Sequence, residues 1–525
     1  MIKLIDLAKE LNFDNPMLAI VNNKLRELSV EVERTDDINF LDISNPDGYR
    51  AYSRTLKFIF IKACSELYPG QKVIIEHALC GGLYCEVQQP YDIGKIVLKM
   101  KEIVNKDLTI NKLILSKEEA VELFTERGMK DKVELLEYKE KPRVKLYECE
   151  GFIEHFYGHM LPSTSHIQTF GIRKYKNGMI LLGPDKKNIR KITEFKDQDK
   201  LANIYREFED WSNVLGISNV VELNKVIESG KYGDMIRTVE VLQEKKLSHI
   251  ADMIKEQNKK IVLIAAPSSS GKTSFAHRLC IHLKVNGINT VTVSMDNYFV
   301  DREHTPIDED GKLDYESIKA IRVEQFNKDL KDLLDGKEIN IPVFDFKLGK
   351  QFITDETMKL GKDEVIIIEG IHGLNPALTA DIAEEDKFKI YLSVLTQINL
   401  DDHSRIPTTD LRLLRRMVRD NTHRGSSAEN TIMTWTSVRR GEELNIFPYQ
   451  EQADVMFNSA GLHELALLKT VAKPLLEDIQ PDSPAYLEAV RLLRLLQYFI
   501  PIEDVSDVPN TSIVREFIGG SKIVH

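Results

Sequence analysis

Cysteine is scarce in this sequence and shows no paired arrangement. The 525 residues include five cysteines, and no two of them form a CxxC pair. They are Cys64, Cys80, Cys85, Cys149 and Cys280. An odd number of scattered cysteines predicts no disulfide framework and is typical of proteins from a reducing compartment. We therefore expect a cytoplasmic location.

Long apolar runs and a secretion signal are also missing. No apolar run reaches the roughly 20 residues that a membrane-spanning helix needs. The chain starts with MIKLIDLAKEL, which alternates charged and apolar side chains and lacks a basic head and a cleavage site. We therefore expect neither a signal peptide nor a membrane partner.

Positive charge is in deficit across the chain. The formal net charge is -11, and acidic surfaces repel polyphosphate at long range, which disfavours extended nucleic-acid binding. The hydrophobic share of 42% and the charged share of 29% are ordinary for a globular protein. Because 525 residues are too many for one core, two to four domains are expected.

The first half of the chain reads as mixed α and β structure. Residues 15–43 alternate short β-like runs with polar turns, which predicts a small β-rich unit. Residues 86–185 mix strand and helix patterns, and residues 186–256 carry apolar side chains at helical spacing. We place a domain boundary within 225–256.

From Asn258 onward the pattern changes to that of an α/β fold. Short apolar runs rich in β-branched residues, each followed by a helical pattern, read IVLIAA, TVTVSM and EVIIIEG. Strands that are apolar on both faces and alternate with helices predict a buried parallel sheet with helices on both faces.

A phosphate-binding loop of the Walker A type follows the first of these strands. It reads APSSSGKT over 266–273 and precedes the helical run SFAHRLCIHL. A loop at a helix N-terminus directs free N–H groups at phosphates. Lys272 is predicted to reach the β- and γ-phosphates, and the Thr273 hydroxyl to bind Mg²⁺. The predicted nucleotide-binding residues are Ala266, Pro267, Ser268, Ser269, Ser270, Gly271, Lys272, Thr273 and Ser274. The loop opens with Ala where the pattern has Gly.

Two carboxylates end the other two strands. The carboxyl ends of parallel strands meet at the ligand crevice, so Asp296 is expected near the phosphates. It could accept the proton of an attacking hydroxyl or hold Mg²⁺ through water, unless it only caps the next turn. Glu369 matches the Walker B position and could orient the water shell of Mg²⁺, unless it faces solvent.

An arginine-rich helix is predicted downstream. Its arginines follow one another at three- and four-residue spacings, so several share one face. They are Arg412, Arg415, Arg416 and Arg419, with Arg424 beside Gly425. Arginine forks fit phosphate oxygens, which predicts a clamp on the triphosphate with Arg412, Arg416 and Arg419 in it. The alternative is a solvated helix whose arginines pair with acids.

These segments together resemble the uridine kinase/phosphoribulokinase family of P-loop kinases over roughly 259–459. The similar motifs read SSSGKTS, VSMDNYF, LDYES, IPVFDF, IIIEGIHGLN, DLRLLRRMVRD and QADVMFNS. The resemblance implies that Asp296 is the catalytic base, that Asp314 contacts ribose hydroxyls, and that the arginine-rich helix is a lid carrying a catalytic Arg416. The substrate-binding residues it implies are Asp296, Tyr298, Asp314, Phe344 and Arg424.

One motif departs from the pyrimidine kinases of that family. They commonly read the base with a Tyr in the PVYDF-like motif and a His just beyond it. Here those places hold Phe344 and the segment Gly349–Lys350. Stacking on a base is retained, but hydrogen bonding to it is not evident, which leaves the identity of the base open.

The N-terminal half resembles the TGS domain and the second additional domain of threonyl-tRNA synthetase over roughly 15–185, including GHMLPST. In that editing domain an HxxxH helix and a CxxxH segment supply four metal-site residues. Here the first pair is Arg54 and Phe58, and the second is His155 and His159. Two remaining ligands do not make a zinc site, so we predict neither zinc nor deacylation by this module.

The sequence thus predicts a nucleoside kinase that uses ATP or GTP with Mg²⁺, in a homo-oligomer, with RNA binding by the N-terminal module disfavoured. The alternatives are a kinase of another small metabolite and an RNA-binding or tRNA-editing-related protein with a nucleotide switch. The predicted parts are a TGS-like unit (1–47), an editing-domain-like module (48–225), a helical linker (226–257), the kinase domain (258–475) and a helical extension (476–525).

Overall fold

The first unit of the chain is small and built mainly of short strands. The computed structural model describes residues 1–308, 311, 313–345, 347–396 and 398–524, so Phe346 of the IPVFDF motif lies outside them. The elements are β1 (Ile2–Lys3), α1 (Leu4–Glu10), β2 (Leu18–Val21), β3 (Lys24–Arg26), β4 (Glu31–Val32) and β5 (Ile38–Leu41). Strands β3, β2 and β5 form an antiparallel sheet over a core of its own that includes Leu4 and Leu28. This matches the predicted β-rich unit, whereas its TGS identity stays a prediction.

Helices and three antiparallel sheets form the next module, which begins with a long helix. The elements are α2 (Pro46–Leu67), β6 (Val73–Leu79), β7 (Gly82–Val87), α3 (Ile93–Asn105), β8 (Asn111–Ser116), α4 (Lys117–Glu126), α5 (Lys130–Glu137), β9 (Arg143–Cys149), β10 (Phe152–His155), β11 (Gly171–Tyr175), β12 (Gly178–Leu182), β13 (Pro184–Asp185) and β14 (Asn188–Ile192). Helix α2 begins with Pro46 after Asn45, whose side chain accepts a 2.9 Å hydrogen bond from the Asp47 N–H. Such a cap fixes where the helix starts.

Three helices connect this module to the C-terminal part. They are α6 (Asp199–Leu215), α7 (Val220–Glu228) and α8 (Tyr232–Glu256). The apolar side of α8 is buried in the large C-terminal core, where Ile236, Leu247 and Ile254 are fully enclosed. The region predicted as a linker is therefore helical and packed, and the predicted domain limits stay a prediction.

The C-terminal part contains the predicted parallel sheet. Its elements are β15 (Ile261–Ala265), α9 (Lys272–Val285), β16 (Asn289–Ser294), α10 (Val323–Leu334), β17 (Glu338–Asp345), β18 (Lys350–Lys359), β19 (Glu364–Glu369), β20 (Lys387–Ser393), β21 (Asn399–Asp401), β22 (Ser404–Arg405), α11 (Thr408–Arg424), α12 (Ala428–Asn445), β23 (Val455–Asn458), α13 (Glu464–Glu477), α14 (Tyr486–Leu496) and α15 (Arg515–Ile518). Five strands pair in parallel in the order β16, β19, β15, β20, β23. This confirms the predicted α/β class.

Both faces of this sheet are covered, as continuous apolar strands require. In β15, Val262 and Ile264 pack into a core with α8, α9, α11 and α13. Ile261 and Leu263 point to the opposite face and pack with residues of α10. The loop that follows β15 lies at the edge of the sheet where the parallel strands end. Among the described residues, no helix combines the length and apolarity needed to cross a membrane.

A buried ionic network joins the N-terminal module to the C-terminal part. Lys132 on α5 lies 2.9 Å from both Glu154 and Asp401, and all three side chains are fully buried. His403 adds a 2.6 Å contact to Glu154. Burial alone would raise the pKa of Glu154, but Lys132 and His403 lower it to about 2. The network therefore keeps its charges in the folded chain.

Helix α14 also connects the N-terminal module with the C-terminal part. Arg491 donates to both carboxylate oxygens of Asp410 at the start of α11, at 2.6 and 2.8 Å. Glu488 accepts from Arg491 at 2.6 Å and from Arg50 of α2 at 3.2 Å. One chain of ion pairs thus runs from α2 through α14 to α11.

Substitution of Lys132 tests the buried network. Lys132→Met removes the cation, and the two buried carboxylates lose their partner, so we expect the free energy of unfolding to fall by about 3–5 kcal/mol. Lys130→Met is the matched control, because that side chain is 86% exposed and lies 3.6 Å from Glu134. A surface pair of this kind contributes at most about 1 kcal/mol. Urea unfolding measures both; equal stabilities would show that the network does not hold the modules together.

Candidate functional site

The predicted phosphate-binding loop lies between β15 and α9, at the edge where the strands end. Gly271 precedes the first turn of α9 and has a φ of 75°, in the left-handed region that favours glycine. Since glycine has no side chain, it cannot cap the first N–H groups of the helix. These donors and the helix dipole make the start of α9 a place for an anion.

Arg415 holds the loop from its carbonyl side. This arginine is fully buried and donates to the Ser269 carbonyl at 3.3 Å and to the Ser459 carbonyl at 2.9 Å. Its charge is balanced by Glu464, which accepts from Nη2 at 2.7 Å. The Ser459 hydroxyl in turn donates to the Ser270 carbonyl at 2.7 Å. Arg415 therefore supports the loop rather than facing the crevice.

Arg412 makes a similar contact one residue earlier in the loop. Its Nε donates to the Ser268 carbonyl at 3.0 Å, and its guanidinium pairs with the fully buried Glu442. The same Glu442 carboxylate accepts from the Ser268 N–H at 3.1 Å. Arg412 thus already has two partners, and its predicted contact with a triphosphate remains a prediction.

The remaining arginines of α11 gather in front of the loop. Arg416 donates to the Ser268 hydroxyl at 2.7 Å and lies 3.3 Å from Asp420. Arg419 donates to Asp420 at 2.7 and 2.9 Å, while Arg424 lies 3.6 Å from it with a side chain that is 62% exposed. Of the predicted clamp, Arg412 and Arg416 therefore converge on Ser268, whereas Arg419 pairs with Asp420. Asp420 also lies near Arg416 and near Arg424, which was predicted as a substrate-binding residue.

The two predicted carboxylates lie on neighbouring strands. Glu369 ends β19 directly opposite Ser294, and Asp296 follows two residues later, exposed at the crevice. The pKa of Glu369 is raised to about 7, mainly because burial disfavours the charged form; Lys272 lowers it in part, and the charge of Asp296 adds to the increase. The ammonium and the two carboxylates are thus close enough to interact electrostatically. Thr273 and Glu369 offer the oxygen ligands that Mg²⁺ prefers.

Two acids of this region were not predicted from the sequence. Glu316 is largely buried, which raises its pKa, and it interacts with Arg416 and Lys272. Its position two residues after Asp314 in the LDYES motif was the available signal. Glu442 on α12, described above, has no sequence signal, because only the packing of α12 against the loop brings it there.

Three of the predicted substrate residues, Asp314, Tyr298 and Phe344, make hydrogen bonds within the protein. The Asp314 carboxylate accepts from the Glu316 N–H at 3.1 Å. Tyr298 is 2% exposed and its hydroxyl donates to Asp329 at 3.1 Å, so that hydroxyl is engaged inside the protein. Phe344 is nearly buried in β17, and its N–H donates to the Asn297 side chain at 3.3 Å. Phe344 therefore lies beside the segment that carries Asp296.

Arg54, His155 and His159, at positions compared above with the metal ligands of an editing domain, make separate contacts. The Arg54 guanidinium donates to the His159 carbonyl at 2.5 Å, and the His159 ring lies 3.4 Å from Glu27. His155 is buried and faces Asp401, whose pKa it helps to lower. Within the described ranges, no group of three or more potential metal ligands includes either histidine. The prediction of no zinc stays a prediction.

A pH-dependent stability test follows from Glu369. Its folded-state pKa of about 7 lies above the ordinary value of 4.5. Ionisation of Glu369 therefore lowers the stability of the folded chain as the pH rises above 4.5, and this loss is complete above about pH 7. We expect Glu369→Gln to melt a few degrees above the wild type at pH 8, with a difference that shrinks below pH 5. The exposed Glu356→Gln on β18 is the control and should show no such dependence. A Glu369→Gln difference that does not change with pH would contradict the shift.

The C-terminal part matches a known protein family. Residues 261–466 match the model of the Phosphoribulokinase / Uridine kinase family. A uridine kinase from Macrococcus caseolyticus and one from Staphylococcus aureus strain Newman are each 29% identical over 208 residues, which cover 39% of this chain and 91% of those proteins. The match thus concerns the kinase-like part and not the N-terminal half.

Solved structures are similar over the same part. One, described as a possible uridine kinase from Bacillus stearothermophilus, is 19% identical, covers 41% of this chain and all of its own, and has a TM-score of 0.28. Another, D-glycerate 3-kinase from Cryptococcus neoformans, is 10% identical, covers 41% of this chain and 92% of its own, and has a TM-score of 0.30.

Proposed function

Because the C-terminal part carries a domain of the uridine kinase/phosphoribulokinase family, we propose that this chain is a nucleoside kinase. It would transfer the γ-phosphoryl group of ATP or GTP to the 5′-hydroxyl of a nucleoside. The observation that carries the proposal is the loop ending in Gly271 at the start of α9, with Asp296 and Glu369 at the ends of two neighbouring strands. This is the geometry that phosphoryl transfer needs.

On the donor side, the free N–H groups of the loop would bind the phosphates and Lys272 would neutralise the β- and γ-oxygens. Thr273 and Glu369 are the residues that would hold Mg²⁺, which supplies charge neutralisation at the phosphates when bound. Arg412 and Arg415 would act indirectly, because they donate hydrogen bonds to the carbonyl groups of the loop.

On the acceptor side, Asp296 is proposed as the general base. It is exposed and lies near Glu369, which Lys272 also approaches, so an acceptor hydroxyl bound there would be near the γ-phosphate. Asp314 would accept from the ribose hydroxyls, and Phe344 would stack against the base. Tyr298 would contribute only its ring, since its hydroxyl is bonded to Asp329.

One observation favours a second candidate, a kinase of another small hydroxyl metabolite. Phe344 places an aromatic ring, and no hydrogen-bonding side chain of its own, at the position proposed for the base. Phosphorylation of all common nucleosides, and of small sugars and acids, with ATP and with GTP separates the two candidates. Turnover of the non-nucleoside acceptors alone would replace the first proposal by the second. The cytoplasmic location and the homo-oligomer stay predictions.

Asp296→Asn tests the proposed base. Losing a general base lowers turnover by about 10²–10⁴-fold, and nucleotide affinity should change little because Lys272 and Thr273 remain. Asp355→Asn, an exposed position on β18, is the control and should keep wild-type turnover. Steady-state kinetics measures both variants. A fall of less than tenfold in Asp296→Asn would remove this residue from the role.

Arg416 tests the proposed lid. A guanidinium over the γ-phosphate stabilises the charge that spreads in the transition state, so Arg416→Ala should lower kcat by at least about tenfold while the nucleoside KM moves less. Arg416→Lys should rescue only in part, because Lys cannot form the bidentate fork.

The alternative for Arg416 is pairing with Asp420 alone. In that case Arg416→Ala costs at most about 1 kcal/mol of stability and leaves kcat unchanged. Kinetics beside a melting curve decides: an unchanged kcat in a folded variant would contradict the lid.

A further inference from the structure

The end of the chain lies on the phosphate-binding loop. We call residues 509–518 the C-terminal segment. Ile513 and Phe517 are buried, and the Ile513 side chain covers Gly271 so closely that an added Cβ there would lie 2.3 Å from it. The Phe517 ring lies 4.7 Å from the Arg415 guanidinium. The segment is therefore packed against the loop and against the arginine that supports it.

Ser512 and Arg515 add a second set of contacts to this segment. The Ser512 hydroxyl donates to the buried Glu240 of α8 at 2.5 Å. The Arg515 guanidinium donates to the Val505 and Val508 carbonyls at 2.7 and 2.8 Å, which closes the chain into a compact turn. The segment is thus held by its own hydrogen bonds as well as by apolar packing.

Glu516 points from this segment at the start of α9. Its carboxylate accepts from the Ser274 hydroxyl at 2.6 Å and from the Ser274 N–H at 3.4 Å. Ser274 is the third residue of the helix, and its N–H has no cap from Gly271. A carboxylate at an uncapped helix N-terminus is stabilised by the free N–H groups and by the helix dipole.

The same donors are those that a bound triphosphate needs. The Glu516 carboxylate also lies close enough to Glu369 to raise the pKa of that residue. A triphosphate in the loop would therefore bring several negative charges next to a carboxylate that already uses a donor of the anion site. Both anions cannot occupy the Ser274 group at once, and their charges repel each other.

We propose that the C-terminal segment is an autoinhibitory plug of the triphosphate site, in which Glu516 takes the place of a phosphate group until a nucleotide displaces it. This inference rests on the proposed function, since it concerns how that site is controlled. A protein that binds nucleotide only in the fraction without the plug has its apparent affinity lowered by that fraction. The apolar contacts of Ile513 and Phe517 stabilise the docked state. The Glu516 carboxylate stabilises it further through Ser274, and this is the contribution that a Glu516→Gln substitution weakens.

The test compares full-length wild type with Glu516→Gln, a variant of the same size that has lost the charge. We expect Glu516→Gln to bind ATP at least about fivefold more tightly, by isothermal titration without and with Mg²⁺. Glu503→Gln is the matched control, because that acid is exposed in the same C-terminal region and should leave the Kd unchanged. Melting curves of all three proteins confirm that they are folded.

The outcomes separate this inference from the proposed function. A Kd for ATP that is unchanged or weaker in folded Glu516→Gln would overturn the plug, the weaker value showing that the carboxylate helps to bind nucleotide. Failure of the proposed function has a different signature: wild type and Lys272→Ala would bind ATP equally, and neither would phosphorylate any acceptor. Tighter binding in Glu516→Gln that is lost when Lys272→Ala is added supports both.

Discussion

The site depends on one constraint: the first N–H groups of α9 have no partner within the helix, and the carbonyl groups of the loop before it need partners from elsewhere. Arg412, Arg415 and Ser459 supply those partners from behind the loop. Buried arginines need acids to balance them, and Glu442 and Glu464 fill that need. The fold of α11, α12 and α13 around the loop follows from this requirement, and the crevice side is left to Lys272 and Arg416.

Charge is distributed very unevenly around this loop. Three carboxylates, Asp296, Glu316 and Glu369, lie near Lys272, and Arg416 lies near Glu316. A cluster with this many acids favours a bound cation. If a triphosphate binds here as proposed, we expect its accompanying cation to contribute to the binding together with the loop.

Much of the crevice could be predicted because local patterns determine it. The apolar strand before the loop, the Gly271–Lys272–Thr273 run and the strand-end acids fix the parallel sheet and bring Asp296 beside Glu369. Contacts between distant segments could not be predicted. Glu442 and Glu516 reach the loop only through packing of α12 and of the C-terminal segment, and spacing could not tell that Arg415 turns inward while Arg416 turns outward.

The chain of ion pairs through α14 and the buried Lys132 network have a consequence for separating the parts of this chain. A C-terminal part prepared without the N-terminal module would lack Lys132 beside Asp401, and one prepared without α14 would lack Arg491 beside Asp410. Each of these acids has its cationic partner on a segment that is distant in sequence. The boundaries between the parts are therefore poor places to divide the chain for expression.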